Sequence, residues 1–106
     1  MTMKQHGSIL DEIVEHKRSE VEQRKSAYSV DNLEAKAESG FPPRDFLTAL
    51  NRRPGQALRA LAEIKLSSPS RGTIRDDIVP SAIALAYESA GASALSVLTE
   101  EKYFSG

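Results

Sequence analysis

The sequence contains no cysteine, which removes both a disulfide framework and any thiolate metal site. That absence fits a reducing compartment, and a cytoplasmic protein is expected. Net charge is nearly absent as well: 14 Lys and Arg stand against 15 Asp and Glu, a formal charge of -1. A chain so balanced carries no electrostatic footprint for nucleic acid or for an anionic membrane. Long hydrophobic runs are missing, and none approaches the roughly 18 apolar residues of a membrane helix. The first residues, Met1 to Gly7, are polar and lack the apolar segment of a secretion signal. A soluble, unsecreted protein is therefore expected.

What remains is an ordinary globular composition. The 106 residues are 40% hydrophobic and 27% charged, within the range of one small domain. Ser8 followed by Asp11 resembles a capping box, and Ile9, Leu10, Ile13, Val14 and Val21 recur at helical spacing. A helix over about Ile9 to Lys25 is predicted, with Glu12, Glu15, His16, Arg18, Glu20, Glu22 and Arg24 on a solvated face. Neither His6 nor His16 has a second ligand at a metal-motif spacing, so no metal site is predicted. Tyr28 to Ser39 reads as a connector and short helix with Asp31 as cap and Gly40 as its end. After Phe41-Pro42-Pro43, a further short helix from Arg44 to Asn51 should bury Phe46, Leu47 and Leu50 before the turn Arg52-Arg53-Pro54-Gly55.

From Ala57 the period changes to two. In Ala62-Glu63-Ile64-Lys65-Leu66, the apolar residues fall on one face of a strand and Glu63 with Lys65 on the other. Both faces are expected to be covered, and burying two charges costs several kcal/mol per ion unless each finds partners. A structural ion pair at a sheet edge is the competing explanation. The segment Ser67 to Val79 is rich in Ser, Pro, Gly and charge, as expected of a binding loop. Pro80 fits the first turn of a helix with Ile83, Ala86, Tyr87 and Ala90 as its buried stripe and Gly91 as its end. Ser93 to Leu98 is a second strand. Two strands joined by such a helix make a parallel, right-handed βαβ unit with functional residues at the carboxyl ends of its strands. Lys65 and the run Thr99-Glu100-Glu101-Lys102-Tyr103-Phe104 then share one rim, and a Lys-Glu-Lys cluster around Glu63 is expected, suited to an anionic substrate.

Taken together, Glu63-Ile64-Lys65 with Ser68-Pro69-Ser70-Arg71-Gly72, Ala86-Tyr87, Gly91-Ala92 and Leu95-Ser96-Val97-Leu98-Thr99-Glu100-Glu101-Lys102-Tyr103-Phe104 resemble the indole-3-glycerol phosphate synthase family. The leading helix with Lys17 and the stretch Pro43-Arg44-Asp45-Phe46 resemble that family's N-terminal extension. The resemblance implies an α/β fold of the (β/α)8 TIM barrel family, with a helical extension over 1–56 and the first βαβ unit over 57–106. It implies a lyase of tryptophan biosynthesis that converts 1-(2-carboxyphenylamino)-1-deoxy-D-ribulose 5-phosphate to indole-3-glycerol phosphate, carbon dioxide and water. By the family's pattern Lys102 matches the general acid, Lys65 the lysine that contacts the substrate carboxylate and assists proton transfer, and Glu63 the carboxylate that orients the lysines. Ser68 matches a substrate-contacting serine and Phe104 an aromatic that packs on the substrate. The implied partner is this phosphosugar-anthranilate molecule, with no metal and no organic cofactor.

Three departures stand out. Leu66 replaces a basic residue frequent in the family, on the face turned away from Glu63 and Lys65. Val79 precedes a helix where an aspartate would cap better, by ~1 kcal/mol. The largest departure is length, since such a barrel takes about 250 residues. Six strands, a catalytic glutamate from a later strand and the phosphate-binding loops near strands seven and eight have no counterpart here. The expectation is the N-terminal part of a synthase, inactive alone. The competing accounts are a non-enzymatic remnant or half-barrel that associates with another chain, and another phosphosugar barrel such as phosphoribosylanthranilate isomerase. The paired lysine motifs argue against the last.

Overall fold

A computed structural model of the chain describes residues 7–75, 77 and 79–106; His6, set aside above as a metal ligand, lies outside them. The chain forms two compact units, Met1–Pro43 and Arg44–Gly106.

In the first unit, α1 spans Ile9–Ala27 and begins at a complete capping box. The Asp11 amide donates to Ser8 Oγ at 3.2 Å and the Ser8 amide donates to Asp11 Oδ2 at 3.1 Å, satisfying two helix-end donors at once. Acidic Asp11 and Glu12 in the first turn and basic Arg24 and Lys25 in the last both complement the helix dipole. The expected solvated face is corrected in part, because His16, Lys17 and Glu20 are half-buried while Ile9, Leu10, Val14 and Val21 are exposed. Lys17, His16 and Arg24 all contact the Glu20 carboxylate. The second helix, α2, spans Val30–Ser39. Its cap is Ser29 rather than Asp31, since Ser29 Oγ accepts the Asn32 amide at 3.1 Å and Asp31 sits in the first turn. Gly40 closes it, as expected, in extended conformation.

The second unit opens with α3, Phe46–Leu50, capped by Asp45, whose carboxylate accepts the Thr48 amide at 3.0 Å and the Thr48 hydroxyl at 2.6 Å. Five residues make only about one and a half turns, so a single narrow face can pack. Ala49 and Leu50 are half-buried, whereas Phe46 and Leu47 remain exposed, contrary to the expected burial of both. The turn after it forms as expected, with Gly55 at φ 84°, the left-handed region glycine tolerates.

Among the described residues, four strands follow in two small sheets. Strand β1, Leu61–Ile64, pairs in parallel with β4, Ala94–Val97, in the register Leu61↔Ala94, Ala62↔Leu95, Glu63↔Ser96 and Ile64↔Val97. The ladder is extended at both ends: Ser93 donates to Ala60 O at 2.8 Å and Leu98 to Ile64 O at 3.1 Å. Between them lies a short antiparallel ribbon of β2, Ser67–Ser68, and β3, Gly72–Thr73, which the sequence pattern did not reveal. The helix α4, Pro80–Ser89, crosses from β1 to β4 with Pro80 in its first turn and no side-chain cap from Val79. Its end is a Schellman motif: Gly91, at φ 101°, donates to Glu88 O and Ala92 donates to Tyr87 O, each at 3.0 Å. Glu101–Phe104 forms the one-turn α5, capped by Glu100, which accepts the Tyr103 amide at 2.6 Å.

The parallel pair with its crossover helix is as expected, but its packing is thinner. Ile64 is 3% exposed and is the one buried apolar residue among those described. On α4 only Ile83 and Ala84 reach half-burial, so the expected stripe of Ala86, Tyr87 and Ala90 is not buried. An open cleft of about 470 Å³ lies between the end of β1, Ile74–Arg75 and the Ile83, Ala86 and Tyr87 edge of α4. The described residues thus hold part of an α/β, barrel-type arrangement and no closed barrel.

Candidate active site at the ends of β1 and β4

The alternation of β1 places its residues as the sequence pattern requires. Ile64 turns inward and Ala62 and Leu66 are half-buried, while Glu63 and Lys65 point to the open face. The Lys65 ammonium lies 3.9 Å from Glu63 Oε1, and Ser96, directly opposite in the register, donates its hydroxyl to Glu63 Oε2 at 3.5 Å. Glu63 thus has two long contacts, to Lys65 two positions on in the same strand direction and to Ser96 across the sheet.

The expected burial of this pair is overturned. The side chains of Glu63 and Lys65 are 50% and 38% exposed, because the helix that packs on β1 is matched by no second layer over the Glu63 face among the described residues. A pair so exposed contributes about 0–1 kcal/mol. Burial cost therefore no longer argues for a function of the two charges, which stand at the open face as a solvated pair.

Lys102 does not join them. It lies in α5 rather than on an extended strand, is exposed, and its ammonium sits 5.3 Å from the centroid of the Tyr103 ring. The expected Lys-Glu-Lys cluster is corrected accordingly: Glu63 takes Lys65 and Ser96, and the helical turn that begins at Glu101 carries Lys102 to the tyrosine. Phe104, two residues further, is half-buried.

Ser68 is held within its own loop. It is 8% exposed, its Oγ accepts the Arg71 amide at 3.2 Å and lies 3.5 Å from Ser70 Oγ. Its neighbour Ser67 is 7% exposed and hydrogen-bonds Ser105 across 38 positions, Oγ to Oγ at 2.7 Å. Sequence reasoning passed over Ser67, Ser96 and Ser105. Only Ser96 left a signal, since pairing the two predicted strands in register sets it opposite Glu63.

The family model of indole-3-glycerol phosphate synthase matches residues 10–106. The chain belongs to the indole-3-glycerol phosphate synthase family. Over 100 residues it is 48% identical to the indole-3-glycerol phosphate synthase of Chloroherpeton thalassium, covering 93% of this chain and 38% of that one. The synthase of Crocosphaera subtropica is 47% identical over 98 residues, 92% of this chain and 33% of its own length. That of Rhodospirillum rubrum is 48% identical over 101 residues, 94% and 38% respectively. The chain thus spans between a third and two fifths of the length of these synthase-family relatives.

Proposed function

We propose that this chain supplies the N-terminal part of an indole-3-glycerol phosphate synthase, with a helical extension over residues 1–56 and the first βαβ unit of a (β/α)8 barrel over 57–106. The substrate is 1-(2-carboxyphenylamino)-1-deoxy-D-ribulose 5-phosphate. Ring closure forms a bond between the aromatic carbon that bears the carboxylate and the ribulose carbonyl carbon, whose oxygen takes up a proton. The carboxylate then leaves as carbon dioxide, its electron pair restoring the aromatic ring, and the new hydroxyl takes a proton from an acid and leaves as water while the adjacent former methylene carbon gives up a proton. This sequence requires an acid at the carbonyl oxygen and a cation for the carboxylate until it departs.

The observation that carries the proposal is the Glu63–Lys65 pair, open to a ligand and in contact with Ser96 at the carboxyl end of β1. Lys65 contacts the substrate carboxylate and assists proton transfer, with Glu63 fixing its direction. Lys102 serves as the general acid, Ser68 as a substrate contact and Phe104 as an aromatic wall.

The test replaces the matching segment of the Chloroherpeton thalassium synthase with this sequence and compares Lys102→Met with Lys65→Met. With Lys102 as acid, its variant loses activity by about 10²-fold or more while the melting temperature stays within a few degrees. Near-native turnover by Lys102→Met together with inactive Lys65→Met moves the acid to Lys65. Near-native turnover by both overturns the proposal.

A further inference from the structure

We infer that Ser67 and Ser105 are a pair of positioning residues, a hydroxyl tie that sets the loop after β1 against the helix after β4. The inference rests on the synthase reading for its catalytic consequence, but its structural content stands on the geometry alone.

Two observations single out this pair. Ser67 is 7% exposed and its Oγ lies 2.7 Å from Ser105 Oγ, so a buried hydroxyl has found a partner from a segment 38 positions away. Ser105 sits at the C-cap of α5 with φ 55° and ψ 37°. Glycine adopts that left-handed conformation freely and serine does not. The backbone at 105 therefore favours glycine, and what serine adds is the hydroxyl that reaches Ser67.

Position explains what the tie does. Ser67 precedes Ser68 in the ribbon strand β2, and Ser105 follows Phe104 at the end of the helix that carries Lys102. The bond links two short segments that leave neighbouring parallel strands, β1 and β4. Removing it lets α5 turn about Thr99 and Glu100, which moves Lys102 and Phe104 relative to Ser68. Because both groups are neutral hydroxyls, the restraint is independent of the charges on Glu63 and Lys65.

The test uses the grafted Chloroherpeton thalassium synthase with Ser67→Ala, Ser105→Gly, the double variant and Ser67→Thr. Loss of one hydrogen bond should lower kcat about three- to tenfold with a smaller change in KM. The double variant should be no worse than either single one, since each breaks the same bond, and Ser67→Thr, which keeps a hydroxyl, should stay close to the parent. Exchange of the Ser105 and Gly106 amides, bonded to Glu101 O at 3.2 Å and Glu100 O at 2.9 Å, should accelerate in Ser67→Ala while exchange in α4 stays unchanged. Single-variant losses that multiply in the double variant, or a Thr variant as slow as the Ala variant, would overturn the tie. If the parent graft has no turnover, the synthase reading fails and amide exchange alone decides: unaltered protection at 105 and 106 then refutes the pair.

Discussion

Glu20 shows how much one side chain can gather. Its carboxylate accepts the Lys17 ammonium at 3.0 Å, with His16 and Arg24 on the same group. The hydrogen bond from Lys17 is the main cause that holds its carboxyl below the usual range; partial desolvation opposes this, and the charges of Arg24, Lys17 and His16 add to the lowering. A carboxyl lowered in the folded state contributes stability that is fully present above its unfolded value and is lost as pH falls through the folded one. Helicity by circular dichroism should therefore drop on acidification through that window. Glu20→Gln should lack that part of the drop. An identical acid titration for Glu20→Gln would show that the cluster does not act on folding. At this scale the sequence was legible where one period suffices. The Glu20–Arg24 pair follows from i,i+4 spacing, and the shared face of Glu63 and Lys65 follows from strand alternation. That Ser96 meets Glu63 and Ser67 meets Ser105 depends on register and loop path across more than thirty residues, which no local pattern encodes.

At the level of elements, the ends of α4 offer a matched pair of opposite effects. Gly91 stands at φ 101° with nothing within 4 Å of where a Cβ would be, so Gly91→Ala meets no steric obstacle beyond the backbone itself. The left-handed conformation alone should cost about 1–2 kcal/mol and speed amide exchange across the last turn of α4. At the other end Val79 gives no side-chain cap. Val79→Asp should gain about 1 kcal/mol by accepting an orphan amide, slowing exchange in the first turn. If both variants exchange like the parent, α4 is not limited by its caps. Helix starts and stops were the most readable features of the sequence, because Ser8, Pro80 and Gly91 act within a few residues of themselves. The cap Ser29 was missed in favour of Asp31 because both are good capping residues and only the path of the chain decides between them. The ribbon of β2 and β3 was missed because two-residue strands carry no period at all.

For the molecule as a whole, most of the apolar residues that the sequence pattern assigns to buried faces are exposed. Phe46, Leu47, Leu58, Leu61, Leu85 and Val97 are exposed, and Ile64 alone among the described apolar residues is buried. An apolar stripe records which side of an element is meant to be covered, and burial needs the covering layer as well. Two parallel strands and one crossover helix do not provide it, and each strand keeps an unpaired edge. The chain also covers only 38% of the Chloroherpeton thalassium synthase. The 106-residue chain by itself should therefore show no synthase turnover, bind an apolar dye strongly and self-associate with rising concentration. Supplying the remaining portion of that relative as a separate chain should suppress dye binding if the two together cover these faces, and should restore turnover if the site at the ends of β1 and β4 is the synthase site. Suppressed dye binding without turnover would keep the barrel assembly and reject the assigned chemistry. Turnover by the 106-residue chain alone would reject the view that its site needs the rest of a barrel.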